Sequence, residues 1–395
     1  MGDSVALTNG TIVLPDRLVN DQALVVADGV IVDLVEIAQI PPTAKQIDVG
    51  GRLIAPGLVD IHIHGARGHT FNEPTAEAFT RITQTTAANG ITSLLATTAT
   101  DDIENLVSCL DFTAKWMQEA RSGSTILGAH VEGPYFNVRQ AGAQDPAHIR
   151  NPDDGTPALL LTHHSIIRIL TFAPELPGAK ALTEQLKALG IVAAAGHSNA
   201  KEEEVLPLID RGLSHMIHMW SAQSTTVREG PWRKPGLLEV SLTDERLTGE
   251  IIADGKHLPP TLMKLAYKCL GAERLCAVSD ATSGAGLPDG SRFRMGGLEY
   301  EVHDGVGMLF DRTAFAGSTT LLNQMLPILI NDVGIPLVAA VRMASLTPAQ
   351  VIGMAKRKGS LEVGKDADIA IFNADFTTWQ VYIAGQRVLS TEPVS

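Results

Sequence analysis

The stretch Leu58-Val59-Asp60-Ile61-His62-Ile63-His64 decides the fold of this 395-residue chain. It is an apolar run, which predicts a buried β-strand, and it ends in two histidines. Side chains two residues apart on a strand point to the same face, so His62 and His64 can reach one metal ion. In a parallel barrel, catalytic groups stand at the carboxyl ends of the strands, and this run fits that pattern.

Seven further apolar runs follow, and helix-period segments such as Thr75–Ala88, Lys180–Leu189 and Pro260–Leu270 lie between several of them. This alternation predicts an α/β fold, a (β/α)8 barrel of the TIM type. Two more helical segments, Thr320–Asn331 and Leu337–Met343, follow the eighth run and are placed to close the barrel. The eight predicted strands are Leu58–Ile63, Ile91–Ala96, Ile126–Val131, Ile166–Phe172, Ile191–Ala195, Leu213–Ile217, Glu250–Ala253 and Leu275–Ser279.

Both ends of the chain read as short β-strands separated by turns such as Asn9-Gly10 and Asp28-Gly29. Because chain termini often meet in space, we predict one small β-sandwich domain built from both ends. The predicted division is 1–54 with 360–395 for this domain and 55–359 for the barrel. The predicted strands are Val5–Thr8, Thr11–Leu14, Ala23–Ala27, Val30–Val35, Ile369–Phe372 and Trp379–Ile383.

The overall charge limits the possible partners. The formal net charge of −13 argues against binding to nucleic acid or to an anionic membrane surface, although a small anionic substrate needs only a local cluster of donors. Cys109, Cys269 and Cys276 have neither metal-binding nor disulfide spacing, which fits a reducing compartment. No secretory signal and no apolar run of membrane-spanning length is apparent, so we expect a cytoplasmic protein.

Polar residues that can bind a metal or transfer a proton stand at the ends of most of the predicted strands. A carboxylate at the end of a buried apolar run is costly unless a metal or a proton is its partner. The common position of these residues predicts one catalytic centre at the carboxyl end of the barrel. The residues are His62, His64, Glu132, His197, His218, His257 and Asp280.

Two other histidines are weaker candidates. His130 shares a strand face with Glu132 but lies one layer deeper, so we expect it in the core or behind the metal ligands. His215 and His218 are three residues apart and should face opposite sides of a strand. His218 is closer to the carboxyl end and is the better ligand, whereas His215 is expected to be packed or to face solvent.

Imidazoles and carboxylates without thiolates suit Zn²⁺, Fe²⁺ or Mn²⁺. A divalent ion lowers the pKa of a bound water to near 7, and the resulting hydroxide can attack an amide carbonyl. Asp280 is placed to take the proton of the water and to pass it to the leaving amine. The residue types therefore indicate metal-dependent hydrolysis.

Several motifs resemble those of the amidohydrolase superfamily and, within it, the N-acetylglucosamine-6-phosphate deacetylases. The resemblance covers almost the whole chain, with the motifs in the order of the family. The matching stretches run from Ala55 to Gly65, from His130 to Tyr135, from Ala195 to Ala200, from Ile252 to His257, from Val278 to Thr282, from Met343 to Ala349 and from Gly364 to Asp368.

The resemblance implies a role for each matched residue. It implies one metal ion held by Glu132, His197 and His218, and a second ion where members keep the His-x-His pair, here His62 and His64. It makes Asp280 the acid–base residue. It further implies that His257 contacts the sugar phosphate, that the fold is a barrel with a split β-domain, and that the chain forms a homodimer.

Three substrate-site motifs depart from the family. The family's His-Leu-x-Asn-Ala-Met is replaced by the stretch from His218 to Gln223, which leaves Ser221 and Ala222 as substrate contacts. The family's arginine that reaches the phosphate, often that of the partner subunit, corresponds to Arg233 or to Arg228 in an apparent insertion. A substrate-contacting histidine corresponds to Gln144.

Alternative interpretations remain open at this stage. Arg228 and Arg233 also fit a solvated basic loop, and Trp220 fits either core packing or a platform for a sugar. The predicted activity is deacetylation of an N-acetylated amino sugar, foremost N-acetylglucosamine 6-phosphate. The alternatives are an amidohydrolase for another small amide without a phosphate requirement, such as an N-acyl amino acid or a cyclic amide, and a non-catalytic scaffold, against which the complete ligand set argues.

Overall fold

Eight parallel strands form a barrel in the computed structural model, which describes residues 4–119, 122–295 and 297–390. The first and eighth strands meet at their carboxyl ends, where Ile63 bridges Ala281 and the amide of Asp280 donates to the carbonyl of His62 at 2.8 Å. Each of the eight predicted runs overlaps one of these strands, so the predicted (β/α)8 barrel is confirmed. Numbered first to eighth, the barrel strands are Leu58–Asp60, Ile91–Thr98, Thr125–Glu132, Ile167–Phe172, Val192–Ala195, Leu213–Met216, Thr248–Ile252 and Leu275–Val278.

Helices cover the outside of the barrel. The helix Ala179–Leu189 is an example of how the sequence sets these elements. Glycines with left-handed backbones at positions 178 and 190 end it on both sides, and Leu182 and Leu186, four residues apart, are buried on its inner face. No helix in these described ranges is both long and apolar enough to cross a membrane. The α-helices are Ala76–Ala88, Ile103–Trp116, Pro157–Leu160, Ala179–Leu189, Glu202–Ile209, Leu237–Thr243, Pro260–Arg274, Leu322–Pro327, Leu337–Met343 and Leu346–Val351.

The segment predicted as one helix over Thr320–Asn331 differs in detail. The α-helix runs over Leu322–Pro327 and continues as a π-helical turn over Ile328–Asp332. Pro327 lacks the amide hydrogen that a regular α-helix needs, so the change of helix type falls at this residue.

Apolar side chains fill the interior of the barrel below its carboxyl end. One buried cluster joins residues from most barrel strands to Ala349, which lies in the last α-helix, and to Ile352, which directly follows that helix. The residues at the strand ends therefore lie above an interior that is mostly apolar and also contains a few buried polar residues such as His130 and Glu250. The cluster includes Val59, Ile61, Leu95, Leu127, Ile169, Ala194, Ile217, Cys276 and Val278.

Strands from both ends of the chain build two sheets that pack as a sandwich, which confirms the predicted small β-domain. In the second sheet Ile371 pairs with Ile54, and the core between the sheets includes Leu7 and Leu24. The exact domain boundaries remain a prediction, and residues 1–3 and 391–395 lie outside the described residues. In sheet order, the first sheet is Val30–Glu36, Gln22–Ala27, Val5–Thr8 and Lys45–Asp48, and the second is Gln386–Ser390, Thr378–Ile383, Ile369–Phe372, Leu53–Pro56, Thr11–Val13 and Leu18–Val19.

Other strands lie at the carboxyl end of the barrel, and the sequence pattern does not predict them. An antiparallel sheet follows the eighth barrel strand, and an exposed hairpin follows the sixth. The sheet is made of Arg292–Met295, Leu298–His303, Val306–Met308 and Phe315–Ser318, the hairpin of Val227–Glu229 and Trp232–Lys234, and a short ribbon of Gly65–Ala66 and His69–Thr70. Single 3-10 turns span Ile37–Gln39, Val138–Gln140 and Leu161–His163.

Candidate metal centre and active site

Glu132, at the end of the third barrel strand, is the centre of the site. Its Oε1 atom lies 3.1 Å from Nε2 of His197 and 3.1 Å from Nε2 of His218. Burial alone would raise the pKa of the Glu132 carboxyl, but its close contacts with His197 and His218 hold that pKa well below its usual range. An ionised carboxylate and two imidazole nitrogens therefore converge on one point.

The backbone turns sharply at both of these histidines. His197 has φ 46° and His218 has φ 20°, and each comes just after the end of its barrel strand. Nδ1 of His197 lies 2.8 Å from the carbonyl oxygen of Gln140 and donates to it. This hydrogen bond leaves the lone pair on Nε2, the atom that faces Glu132.

His64 lies between the two carboxylates of the site. Its Nε2 atom is 3.3 Å from Oε2 of Glu132 and 3.3 Å from Oδ1 of Asp280. Burial by itself would lower the pKa of His64, but its contacts with Asp280 and Glu132 raise that pKa to about 9. For Asp280, the opposing effects of burial and of the contact with His64 leave the pKa below its usual value.

His62 completes the group, with Nε2 at 3.5 Å from Oε1 of Glu132 and 3.7 Å from Oδ1 of Asp280. Nε2 of His62, Nδ1 of His64 and Nδ1 of His218 are buried and have no hydrogen-bond partner among the described residues. Such unpartnered nitrogens are costly in a protein interior unless a ligand binds them.

The donor set fits a divalent metal ion. Ligand atoms of His62, Glu132 and His218 lie within 4.8 Å of one another, as do those of His62, His64 and Asp280. Imidazole nitrogens and carboxylate oxygens are the ligands that Zn²⁺ and Fe²⁺ take in catalytic sites. The structure thus brings together the predicted metal ligands and the predicted acid–base residue.

A deeper layer of polar groups lies below these residues. His130 is buried, with Nδ1 at 3.0 Å from the carbonyl of Ile61 and Nε2 at 2.8 Å from Oγ1 of Thr171. Burial and the neighbouring His62 lower the pKa of His130 to about 3, so its ring is neutral. The prediction that His130 lies in the core behind the ligands is confirmed.

The expected opposite orientation of His215 and His218 is wrong. The side chain of His215 and the backbone amide of His218 both contact the carboxylate of Glu250, at 3.0 and 3.3 Å. Strand alternation ends at Met216, and the left-handed backbone of His218 turns its side chain inward. His215 is packed, as expected, but inside the barrel.

Gln144 is held by two hydrogen bonds beside the metal ligands. Its Nε2 atom donates to Oε2 of Glu132, and its Oε1 atom accepts from the amide of Thr100 at 2.7 Å. The side chain lines the cavity described below and is almost fully buried. A direct contact between Gln144 and the substrate remains a proposal.

A cavity of about 270 Å³ opens above the metal ligands. Besides the ligands, its walls come from the loop after the third strand, the loop after the sixth strand and the antiparallel sheet after the eighth strand. The walls contributed by this sheet are the part of the site that sequence reasoning missed. The lining residues are His64, Glu132, Gly142, Ala143, Gln144, His197, His218, Trp220, Ser221, Ala222, His257, Asp280, Met295, Ala314, Phe315 and Gly317.

His257 stands on the wall of this cavity with a fixed orientation. Its Nδ1 atom lies 2.7 Å from Oδ2 of Asp254, and the Asp254 side chain also accepts from two backbone amides at 2.9 Å. The ring of Phe315 packs 4.8 Å from the His257 ring, centroid to centroid. The hydrogen bond from Nδ1–H to Asp254 leaves Nε2 of His257 for another partner.

The loop after His218 places Trp220, Ser221 and Ala222 on the cavity wall. Trp220 (φ 72°) and Ala222 (φ 50°) have left-handed backbones, and the amide of Ser221 donates to the carbonyl of His218 at 3.0 Å. Trp220 also packs against the main hydrophobic cluster, and its role as a platform for a sugar remains a proposal.

Arg228 and Arg233 lie on the exposed hairpin, outside the cavity lining. Arg228 donates to the carbonyl of Gly230 at 2.8 Å, and Arg233 donates to that of Pro231 at 3.2 Å. The structure therefore does not bring these two arginines together with the metal ligands of the same chain.

The chain is similar to known hydrolases over nearly its full length. The model of the amidohydrolase family matches residues 53–388, and that of the NagA composite domain matches residues 5–54. An N-acetylgalactosamine-6-phosphate deacetylase of Escherichia coli O157:H7 is 31% identical over 93% of this chain and 94% of its own. An N-acetylglucosamine-6-phosphate deacetylase of Vibrio furnissii is 30% identical over 87% of this chain and 85% of its own.

The structural comparison agrees with the sequence comparison. A point variant of the N-acetyl-D-glucosamine-6-phosphate deacetylase of Mycobacterium smegmatis, solved with N-acetyl-D-glucosamine-6-phosphate, superposes with a TM-score of 0.91. It is 29% identical, and the match covers 98% of this chain and all of that one. Both the barrel and the small β-domain are thus shared with this protein.

Proposed function

This chain belongs to the amidohydrolase family, and from that premise we propose that it deacetylates an N-acetylated amino sugar 6-phosphate. The products are acetate and the free amine. The observation that carries the proposal is the convergence of His197, His218 and Glu132, with Asp280 beside them, on one cavity. The favoured substrate is N-acetylglucosamine 6-phosphate, the substrate named for several relatives.

Metal binding in this site is assigned residue by residue. We propose that Glu132, His197 and His218 hold one divalent ion, foremost Zn²⁺, with Fe²⁺ and Mn²⁺ as alternatives, and that His62 and His64 allow a second. The ion supplies Lewis acidity, which polarises the amide carbonyl and lowers the pKa of a water. Gln144 holds the second oxygen of Glu132 and so keeps that carboxylate in place.

Proton transfer is assigned to Asp280. Its carboxylate lines the cavity and is ionised, because its pKa lies below the usual value. It takes a proton from the attacking water as the new carbon–oxygen bond forms. It then gives that proton to the nitrogen as the amide carbon–nitrogen bond breaks, which releases the amine.

Recognition of the phosphate is assigned first to His257. Asp254 fixes its ring, and Nε2 is left for a ligand on the cavity wall. Ser221 and Ala222 line the same cavity and are proposed to contact the sugar. Arg228 and Arg233 lie outside the cavity of their own chain, so we propose that they contact the phosphate in the site of a homodimer partner.

N-Acetylgalactosamine 6-phosphate is the second candidate. The Escherichia coli relative, 31% identical, is named for that sugar, which differs from N-acetylglucosamine only in the configuration at C4. The residues from Trp220 to Ala222, and Gln144, depart from the motif of glucosamine-specific members and line the cavity. These departures are the observation that favours testing the second sugar.

The test is hydrolysis of a set of amides by the Zn²⁺-loaded protein, measured as acetate release for the acetylated substrates and as ring opening for the cyclic amide. The set contains both sugar 6-phosphates, an N-acetyl amino acid and a cyclic amide. Turnover of either sugar phosphate that stops on chelation supports the proposed function, and the ratio of the two kcat/KM values identifies the sugar. Turnover of only the amino acid derivative or the cyclic amide would contradict it.

A further inference from the structure

Glu250 is a fully buried carboxylate on the seventh barrel strand that no motif of the sequence singles out. Its Oε2 atom lies 2.8 Å from Nδ1 of His62, and its Oε1 atom lies 3.0 Å from Nε2 of His215. The backbone amide of His218 donates to Oε2 at 3.3 Å. Glu250 therefore contacts three histidines, two of which are proposed metal ligands, and does not line the cavity.

The hydrogen bonds of this group fix where the protons are. A carboxylate only accepts, so Nδ1 of His62 and Nε2 of His215 must be the donors. On its other side, Nδ1 of His215 lies 2.6 Å from the hydroxyl of Thr248, which is also 3.2 Å from the carbonyl oxygen of Ser214. For His62, the proton on Nδ1 leaves the lone pair on Nε2, the atom that faces Glu132 and Asp280.

We propose that Glu250 is a positioning residue: it orients His62 so that the chain holds a second divalent ion at His62 and His64. This inference rests on the metal-dependent hydrolysis proposed above and adds a residue to it. A buried carboxylate that accepts from the far nitrogen of a ligating histidine fixes both the ring and its tautomer.

The neighbouring ring of His130 cannot replace Glu250. His130 packs edge-on against the His62 ring at 4.6 Å, but both of its nitrogens have their own partners, the carbonyl of Ile61 and the hydroxyl of Thr171. Without Glu250, the Nδ1–H group of His62 would be buried and unpaired, and the ring would lose its fixed orientation.

The test is the binding of Zn²⁺ to the full-length protein, measured by equilibrium dialysis for wild type, E250A, E250Q and H62N. We expect wild type to bind a second ion and E250A to bind it about 10- to 100-fold more weakly, the usual effect of removing such a partner. E250Q, whose amide oxygen can still accept from His62, should recover part of the affinity. T248V is the matched control, because it removes the far end of the same network and should keep the wild-type affinity.

The double variant E250A/H62N separates positioning from general packing. If Glu250 acts through His62, E250A causes no further loss of Zn²⁺ in the H62N background. A second ion missing from wild type, an unchanged second affinity in E250A, or a further loss in the double variant would each overturn the proposal.

Wild type supplies a readout that does not require E250A to fold. The ¹⁵N spectrum of histidine-labelled, Zn²⁺-loaded protein, assigned with H62N, should show His62 protonated at Nδ1; protonation at Nε2 would contradict the proposal. Acetate release measured on the same samples keeps the two claims apart. A second Zn²⁺ ion whose binding depends on Glu250, without any deacetylation, would reject the proposed function and leave this inference standing.

Discussion

Oδ1 of Asp280 lies 3.3 Å from Nε2 of His64, at the closure between the first and eighth barrel strands. The contact joins the proposed acid–base residue to a proposed metal ligand. The two side chains come from opposite ends of the barrel sequence, and only closure of the sheet places them together. His64 follows the first barrel strand and Asp280 follows the eighth, so the site forms only when the whole barrel is folded.

Asp280→Asn keeps the size of the side chain but removes its capacity to take a proton. We expect kcat to fall by about 100- to 10,000-fold, the usual contribution of a general acid–base group. Zn²⁺ bound at Glu132, His197 and His218 should be retained, as measured by metal analysis of the dialysed variant. Near-wild-type turnover would remove Asp280 from the mechanism.

Glu132→Gln should remove the first metal ion, because a neutral amide replaces the carboxylate on which His197 and His218 converge. The measurement is Zn²⁺ content after dialysis, together with circular dichroism to show that the barrel is folded. Glu203→Gln, on the exposed face of a helix, is the control and should keep its metal. A full complement of Zn²⁺ in E132Q would show that the ligand assignment is wrong.

Gly317 lies against Asp280 and has φ 59°, so it should not tolerate a side chain. A Cβ atom at this position would lie 2.7 Å from the carbonyl oxygen of Asp280. We expect Gly317→Ala to lower kcat by displacing Asp280. Gly305→Ala is the matched control, because Gly305 also has a positive φ (70°) but its Cβ would meet nothing within 4 Å.

Comparison of kcat for G317A and G305A, with thermal unfolding of both, separates two effects. One is the backbone strain of a left-handed alanine, which both variants share, and the other is the contact with Asp280, which only G317A makes. Both variants carry the cost of a left-handed alanine, which is about 1–2 kcal/mol. Equal kcat values in the two variants would show that the close approach of Gly317 to Asp280 does not matter for turnover.

The double variant R228A/R233A tests the role of the exposed hairpin. We expect a higher KM for the phosphorylated sugar and little change in kcat, because these cations would bind the phosphate and not the reacting amide. Arg211→Ala is the control, since Arg211 contacts Glu184 on the outer surface. An unchanged KM in R228A/R233A would mean that the hairpin is a solvated basic loop.

The barrel could be predicted because its strands are continuous apolar runs, and each predicted strand lies within a few residues of the observed one. The ligands could be predicted because they stand at strand ends, as Glu132 and Asp280 do. The role of Glu250 could also have been predicted, because this acid stands at the start of a strand expected to be buried. Such an acid needs partners inside the barrel.

Other parts of the site could not be predicted, for physical reasons. Phe315 and Met295 belong to short antiparallel strands without a long apolar run, so nothing in the sequence brings them to the cavity. The orientation of Gln144 depends on Thr100 and Glu132, which lie on different strands or loops. Hydrogen bonds between distant segments leave no periodic signal in the chain.

The most direct measurement is acetate release by the Zn²⁺-loaded protein with N-acetylglucosamine 6-phosphate and with the same sugar lacking the phosphate. The account predicts a much higher kcat/KM for the phosphorylated sugar, because the cavity that holds Asp280 also presents Nε2 of His257. Equal values for the two sugars would contradict the phosphate site. No release from either, with metal bound, would contradict N-acetylglucosamine 6-phosphate as the substrate.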